Sequence, residues 1–365
     1  MSLLFMGIAL LQKPMEDLIV ELSPHCIFSD VCLTWTVDIA EQLKVPRLTF
    51  YPHNLMFHCV EHCLNVYTPH DKVSLDSESF LIPGLPDKIE MKRSQLSENI
   101  NTNPEGPYWE MMKRTKESEP RSYAMIHDTI YDLESTYAEL YQKIKGKKAW
   151  LIGPLFYFSK REESSNSKNT AVQERHSCLS WFDSQEPNFV VVRKGDKTQE
   201  NEQENWMPAS FKGKILTNKG LIVGGWVPQL KILNHPATGS FMTHCGWNSI
   251  LESLTAGVPM LTWPLFAKQF YNEKLVEVLG CGVGVGVEVC HSTFDITDTI
   301  VKNENIEASV KILMNASRKS EKTKSRAKDV EVMIKRSMEK GGSSYNHLTT
   351  LIKELKCHVF GTLEE

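Results

Sequence analysis

No stretch of this chain approaches the roughly 18 consecutive apolar residues that a membrane-spanning helix needs, which excludes a helical span. The basic excess of a dedicated nucleic-acid binder is also missing: 41 Lys and Arg stand against 45 Asp and Glu, a net charge of −4, and that class is set aside. There is no internal repeat and no sustained heptad, so solenoids and coiled coils drop out. Nine cysteines are present, at 26, 32, 59, 63, 178, 245, 281, 290 and 357. They are odd in number, scattered and mostly set among apolar neighbours, which does not suit a disulfide framework. Reduced, buried thiols of a cytoplasmic protein fit the pattern. The apolar run Leu3–Leu11 has no Lys or Arg before it and no small-x-small cleavage site before Lys13. It reads as one face of a helix continuing to Leu22, not as a secretory signal. No capping residue precedes that helix, so the chain reads as starting inside a fold.

What is present is ordinary globular material: 365 residues, 41% apolar and 24% charged. At roughly 150 residues per domain this gives about two domains with ample core. Short β-type runs alternate with helical patterns. Cys26–Phe28, Pro46–Tyr51 and Ala149–Ile152 read as strands, and Trp35–Leu43 and Phe57–Tyr67 as helices. Leu221–Val223, Ser240–Thr243 and Val258–Trp263 read as strands, and Trp247–Thr255 and Gln269–Leu279 as helices. Lys-rich helices follow from Glu304 to Met338, broken at Gly341-Gly342. Alternation of this kind predicts an α/β fold with parallel sheet. Ser159–His176 is polar and aperiodic and reads as a linker; Lys194–Asn205 reads as a surface loop.

Residues 226–269 read WVPQLKILNHPATGSFMTHCGWNSILESLTAGVPMLTWPLFAKQ. In length and in its fixed Trp, Pro-Gln, His-Pro, Thr-His-Cys-Gly-Trp-Asn-Ser, Glu, Gly-Val-Pro and Trp-Pro positions, this box resembles the signature of the plant UDP-dependent glycosyltransferases of small molecules. Further similarity runs through PHCIFSDVCLTWTVDIAEQLKVPRLTFY, FLIPGLP, CLSWFDSQEP and GGSSYN. The resemblance implies two facing Rossmann-like domains of the GT-B type, here incomplete. It places the uracil on the Trp226 indole and the Val227 backbone, and the ribose hydroxyls on Gln229 and Glu252, whose carboxylate can accept two hydrogens. His244, Gly246, Trp247, Asn248 and Ser249 fall at a strand-to-helix turn. The backbone N–H groups and helix dipole there suit a diphosphate, and Gly246 admits a close backbone approach. UDP is the leaving group, so donors at this turn would stabilise charge that grows in the transition state. A bare helix N-cap is the ordinary alternative for Asn248 and Ser249.

The last pair of the box contacts the sugar in the family and is usually an acid followed by Gln. Here it is Lys268-Gln269. Lysine has three donors and no acceptor and cannot replace a carboxylate that accepts from two hydroxyls. The resemblance further implies inversion, with a His base near the start of the first domain and an Asp that orients it. Asp30 matches that Asp; a plain strand-end residue is the ordinary alternative. The His has no match, and neither His25 nor His53 stands at its position. After Trp181–Pro187, Asn188-Phe189-Val190 runs almost directly into Val191–Gly195. The family places a strand, a Ser loop and a helix between the corresponding segments. Lost strands would leave sheet edges and apolar helix faces uncovered.

Three other patterns are read conservatively. His58, Cys59, His62 and Cys63 have zinc-compatible spacing on a helix, but inward-packed thiols are the simpler reading. Gly280–Gly286 fails the GxGxxG spacing and reads as a Gly-rich strand or turn. Lys319–Lys340 reads as a solvated helix face. The expected domains are therefore 1–165 for the acceptor, 166–345 for the UDP-sugar and 346–365 as a helix packing back on the first. The expected activity is transfer of glucose from UDP-glucose to a hydroxyl of a small hydrophobic plant metabolite: a flavonoid, triterpenoid or other phenolic. The enzyme is expected to be a cytoplasmic monomer with no metal, no further cofactor and no nucleic-acid partner. The competing reading is a truncated pseudoenzyme that retains part of a UDP-binding surface.

Overall fold

The computed structural model describes residues 7–97, 100, 104–159, 179–184, 190–194, 220–224, 227–266, 268–291 and 301–361. The expected linker Ser159–His176 and loop Lys194–Asn205 lie almost wholly outside them. The chain divides into two compact units, Met1–Tyr157 with Met242–Glu365, and Phe158–Phe241.

The larger unit opens with α1 (Gln12–Leu22), β1 (Ile27–Asp30), α2 (Thr36–Leu43), β2 (Arg47–Tyr51) and α3 (Leu55–Tyr67). A hairpin of β3 (Ser79–Leu81) and β4 (Glu90–Lys92) follows, then α4 (Pro107–Ser118), β5 (Ala124–His127), α5 (Tyr131–Lys145) and β6 (Ala149–Leu151). The strands β1, β2, β5 and β6 form one parallel sheet in that order. In the smaller unit β7 (Val190–Lys194) pairs in parallel with β8 (Gly220–Gly224), and α6 (Gln229–Leu233) follows. The second part of the larger unit carries β9 (Phe241–Thr243), α7 (Trp247–Ala256), β10 (Met260–Thr262), α8 (Gln269–Leu279) and β11 (Gly282–Gly284). Its three strands form a second sheet in the order β11-β10-β9. Helices α9 (Asn303–Met314), α10 (Arg318–Met338) and α11 (Ser343–Phe360) close the chain. Gly280–Gly286 is thus a short strand with its flanks, as the sequence reading has it.

Helix α3 shows why these residues fold as they do. Asn54 caps it, its side chain accepting from the Phe57 N–H at 2.8 Å, which satisfies one of the orphan donors of the first turn. Met56, Val60, Cys63 and Leu64 recur at helical spacing and are buried. Cys59 and Cys63 point into this interior, and burial raises both thiol pKa values, which disfavours the thiolate that zinc would need. Under the first sheet, Leu48, Ala124, Ile126, Trp150 and Ile152 pack with Leu351 of α11, so the C-terminal helix covers the sheet that the N-terminal half builds. Each buried Leu or Ile among them contributes about 1.5–3 kcal/mol of transfer free energy. At the end of α7, Gly257 adopts φ +67°, and a Cβ there would fall 2.1 Å from Glu331 Oε2. The left-handed φ, the C-terminal cap of α7, is what calls for glycine here, since the Glu331 side chain could swing aside.

Strand β1 is the edge of its sheet. Its Phe28 is 56% exposed, and α1 has no buried residue. The same strand is pinned from within by Arg47, which is buried and donates to Ser29 Oγ, Thr36 Oγ1, Ser122 Oγ and the Leu33 carbonyl at 2.7–3.3 Å.

Glu134 of α5 is a buried carboxylate that holds the start of α3. It accepts from the N–H groups of Leu55 and Met56 at 3.0 and 2.8 Å and from Thr129 Oγ1 at 2.5 Å. Burial outweighs these hydrogen bonds and pushes its pKa up to about 7. Because the folded value lies above the unfolded one, the folded state binds more protons between about pH 4.5 and 7, and stability falls as pH rises through that window. Glu134→Gln removes this titration. Urea unfolding should therefore show wild type losing on the order of 3 kcal/mol relative to the variant between pH 4.5 and pH 8. Parallel pH curves for the two proteins would refute the assignment.

Candidate functional site

Parallel sheets place functional groups at the carboxyl ends of their strands, and both sheets of the larger unit do so here. At the end of β1 stands Asp30, exposed, with Oδ1 accepting from the Cys32 N–H at 2.8 Å. After β2 comes Pro52-His53-Asn54, and after β5 Asp128. From the second sheet, β9 delivers His244-Cys245-Gly246 and the loop after β10 delivers Lys268 and Gln269.

The turn after β9 has the geometry that an anion needs. Cys245 is buried with φ +65°, a left-handed conformation rare for a side-chain-bearing residue. Its N–H is bonded to Thr243 Oγ1 at 3.2 Å. Gly246 is the N-cap of α7, and no side chain caps that end. Asn248 and Ser249 are thus first-turn residues, not caps. The first-turn N–H groups of such a helix have no intrahelical acceptor. A Cβ on Gly246 would lie 2.5 Å from His244 Nε2, so glycine is what lets the imidazole fold over the turn. His244 is exposed as a residue, yet desolvation of its ring lowers its pKa, which favours the neutral imidazole with one N–H to donate.

This turn is locked to the first sheet by buried hydrogen bonds. Trp247 Nε1 donates to the Asp128 carbonyl at 2.6 Å. Asn272 Nδ2 donates to the Cys245 carbonyl at 2.9 Å, and its Oδ1 accepts from Asn54 Nδ2 at 2.6 Å. Ser97 and Tyr271 are bonded through their hydroxyls at 3.1 Å, and Gln95 Nε2 reaches the Val287 carbonyl at 2.8 Å.

Two clefts result. The smaller, of about 450 Å³, is lined by His244, Gly246, Trp247, Asn248, Ser249 and Gln269, together with Pro52, His53, Tyr108 and Lys268. The larger, of about 1170 Å³, is lined by Asp30, Tyr51, His58, Glu61, Trp109 and Met112 among others. Pro52, His53, Tyr108 and Lys268 belong to both. The volume of the larger cleft exceeds that of most small-molecule sites and suits a bulky ligand.

Seven of the residues singled out from the sequence line these clefts: Asp30, His244, Gly246, Trp247, Asn248, Ser249 and Lys268; Gln269 makes an eighth. Gln269 is buried, and its Oε1 accepts from the N–H groups of Leu265 and Phe266 at 2.8 and 3.2 Å. Half of that amide therefore shapes the loop that carries Lys268. Glu252 lies mid-way along α7, half-buried. Val227 and Gln229 belong to the smaller unit, where Gln229 opens α6 and its N–H is bonded to the Val227 carbonyl at 2.8 Å. Trp226 lies outside the described residues. His25 packs against Phe360 at 4.9 Å between ring centroids and is not part of either cleft lining.

Sequence reasoning weighed His53 only as a stand-in for the base and set it aside. Its Nε2 lies 2.5 Å from Lys268 Nζ across 215 positions of chain, a pairing that no local pattern announces. The same reasoning considered His58 only for its zinc-compatible spacing and did not single out His127; His58 lines the larger cleft and His127 packs against His58. Their rings sit 5.2 Å apart at a right angle, and His127 is wholly buried.

A strand-to-helix anion turn beside a large mixed cleft, built from two parallel sheets, marks the class of the GT-B glycosyltransferases. Comparison with known proteins makes the assignment specific. The family model for UDP-glucoronosyl and UDP-glucosyl transferases matches residues 204–321. The chain is 44% identical to nuatigenin 3-beta-glucosyltransferase of Solanum aculeatissimum, over 96% of this chain and 78% of that one. It is 40% identical to UDP-glucose flavonoid 3-O-glucosyltransferase 7 of Fragaria ananassa, over 98% and 80%. Among solved structures, Glycyrrhiza uralensis UGT73P12 complexed with glycyrrhetinic acid 3-O-monoglucuronide superposes with a TM-score of 0.85 at 34% identity, over 96% of this chain and 77% of that one. Medicago truncatula UGT71G1 complexed with UDP-glucose shares the fold at a TM-score of 0.73 and 24% identity, over 95% and 79%. The chain belongs to the plant UDP-glycosyltransferase family and is a transferase. Among the described residues, no helix is long and apolar enough to cross a membrane.

The Trp247 indole is the buried peg of the turn. Trp247→Phe keeps most of the apolar contact but strands the Asp128 carbonyl, at a cost of about 1–3 kcal/mol. A drop in unfolding free energy of that size by urea titration, with the far-ultraviolet circular dichroism unchanged, is the expected result.

Proposed function

We propose that this chain transfers a glucosyl group from UDP-glucose, with inversion, to a hydroxyl of a hydrophobic polycyclic plant metabolite. The observation that carries this reading is the small cleft at the His244–Ser249 turn opening beside the large cleft edged by Asp30. The first is shaped for a diphosphate and the second for a bulky acceptor. Relatives named for nuatigenin, solanidine and flavonoids support a steroidal, triterpenoid or flavonoid acceptor. In this reading the first-turn N–H groups of α7, with His244, Asn248 and Ser249, take up charge as UDP leaves. Trp226 and the Val227 backbone hold the uracil, Gln229 and Glu252 the ribose, and Lys268-Gln269 the sugar. Asp30 stands where the family has the Asp that orients its His base; that His has no match in this chain, and in this reading Asp30 is the carboxylate at the larger cleft that takes the acceptor proton itself. The reading includes the domain boundaries 1–165, 166–345 and 346–365 and a cytoplasmic monomer that needs no metal.

The match to the Solanum aculeatissimum relative runs over 385 positions, more than the 365 residues of this chain. That relative therefore carries residues inside the matched span that this chain lacks, which supports a shortened nucleotide-binding half near Asn188. The alternative of an inactive UDP-binding remnant is not favoured, because relatives matching over more than nine-tenths of the chain are named as glucosyltransferases.

Purified protein incubated with UDP-glucose and a panel of steroidal, triterpenoid and phenolic alcohols should release UDP and form a glycoside detectable by mass spectrometry. UDP binding without turnover across the panel would overturn the reading. Two variants test the roles. Asp30→Asn should lower kcat by about a hundredfold with KM for UDP-glucose little changed. Gly246→Ala should displace the exposed His244 ring and weaken UDP binding about tenfold. Its thermal midpoint should be nearly unchanged.

A further inference from the structure

The geometry points to a carboxylate-binding subsite at Lys268, where the two clefts meet, so that this enzyme selects a substrate carrying a carboxylate. The inference rests on the transferase reading above: an acidic acceptor deepens it, and a hexuronosyl donor would take the place of glucose in it. Lys268 Nζ lies 2.5 Å from His53 Nε2 and 4.4 Å above the centroid of the Phe57 ring. No carboxylate of the described residues lies within ion-pair distance of it. The ammonium donates to a neutral imidazole and rests on a ring face, two contacts that orient it without neutralising it. A half-buried cation held this way favours an anion that arrives from outside.

The surroundings keep the charge in place near neutral pH. Desolvation lowers the Lys268 pKa to about 8, while Glu61 of α3, Cys32 and Asp30 near the end of β1 act to raise it and Lys116 of α4 to lower it. His53 is pulled well below its ordinary pKa, first by burial and then by the Lys268 charge. At pH 7 the lysine is mostly protonated and the histidine neutral, and above about pH 8 the cation is lost.

The position of Lys268 on both cleft linings leaves two sources for the carboxylate: a hexuronosyl donor in the smaller cleft, or an acidic acceptor in the larger. The experiment separates them. Wild type, Lys268→Gln and Lys268→Glu are compared with UDP-glucuronate against UDP-glucose, and with a hydroxylated triterpenoid acid against its methyl ester. Both kcat/KM and calorimetric affinity are measured. Wild type should favour one of the two carboxylated partners by about tenfold or more, and Lys268→Gln should abolish that preference while melting like wild type. Lys268→Glu should reverse it, and the wild-type preference should fade between pH 7 and pH 9. A preference confined to the donor pair assigns the uronosyl source; one confined to the acceptor pair assigns the acid. Equal discrimination by wild type and Lys268→Gln would overturn the subsite. Carboxylate-dependent binding without any turnover would uphold it and defeat the transferase reading instead.

Discussion

Two side-chain amides and one backbone carbonyl hold the site together. Asn54 caps α3 with its oxygen and donates its nitrogen to Asn272, and Asn272 in turn donates to the Cys245 carbonyl. Asn54 is completely buried and Asn272 nearly so, so every polar atom in the chain must be matched inside the protein. Removing any member would leave a neighbour's donor or acceptor stranded, which costs more than the net worth of one hydrogen bond. The relay joins the carboxyl end of the first sheet to the turn after β9. It therefore fixes how far Asp30 and His53 stand from Gly246 and α7. The left-handed Cys245, strained for a residue with a side chain, is kept in place because its carbonyl has that buried partner.

Around this frame, burial decides the charge of the cleft. Desolvation draws His53 and His58 well below the usual imidazole range and His127 to about 3. These rings are neutral at physiological pH and act as dipoles and stacking surfaces; His127 lies almost parallel to Tyr51 at 5.0 Å. Neutral imidazoles make a tolerable neighbourhood for an ammonium, whereas protonated ones would expel it. The consequence is a division of labour: Asp30 and Glu61 bring negative charge to the larger cleft, and Lys268 brings positive charge to the junction.

Much of the fold was legible in the sequence because its signals are local. Strand–helix alternation located β2, α3, β9, α7 and α8 to within about two residues. The box placed the anion turn at His244–Ser249 because a strand, a glycine and a helix start are adjacent in the chain. What stayed hidden was non-local. Lys268 was visible as a basic residue where the family has an acid, but its partner His53 lies 215 positions away. The Asn54–Asn272 bond spans 218 positions. Glu134 carries no local mark in the sequence, and only the docking of α5 against the first turn of α3 gives it buried N–H partners. Residues of that kind have no periodicity or spacing by which a sequence could reveal them.

The Lys268 substitution is compatible with the fold for a reason found in its surroundings. A carboxylate at this position would stand beside His53 and over the Phe57 face. The ring face is negative and repels an anion, and a desolvated, neutral histidine could offer it at most one N–H. The ammonium instead gains from both neighbours: the ring face attracts it, and the imidazole supplies a lone pair. His53, Phe57 and Lys268 are therefore matched to one another, and exchanging Lys268 alone for an acid would set it against two neighbours that suit a cation. The departure from the family's usual acid is in this sense a property of three side chains, two of them on the opposite half of the unit, and it reaches the sugar-proximal end of the site through packing that the box itself does not contain.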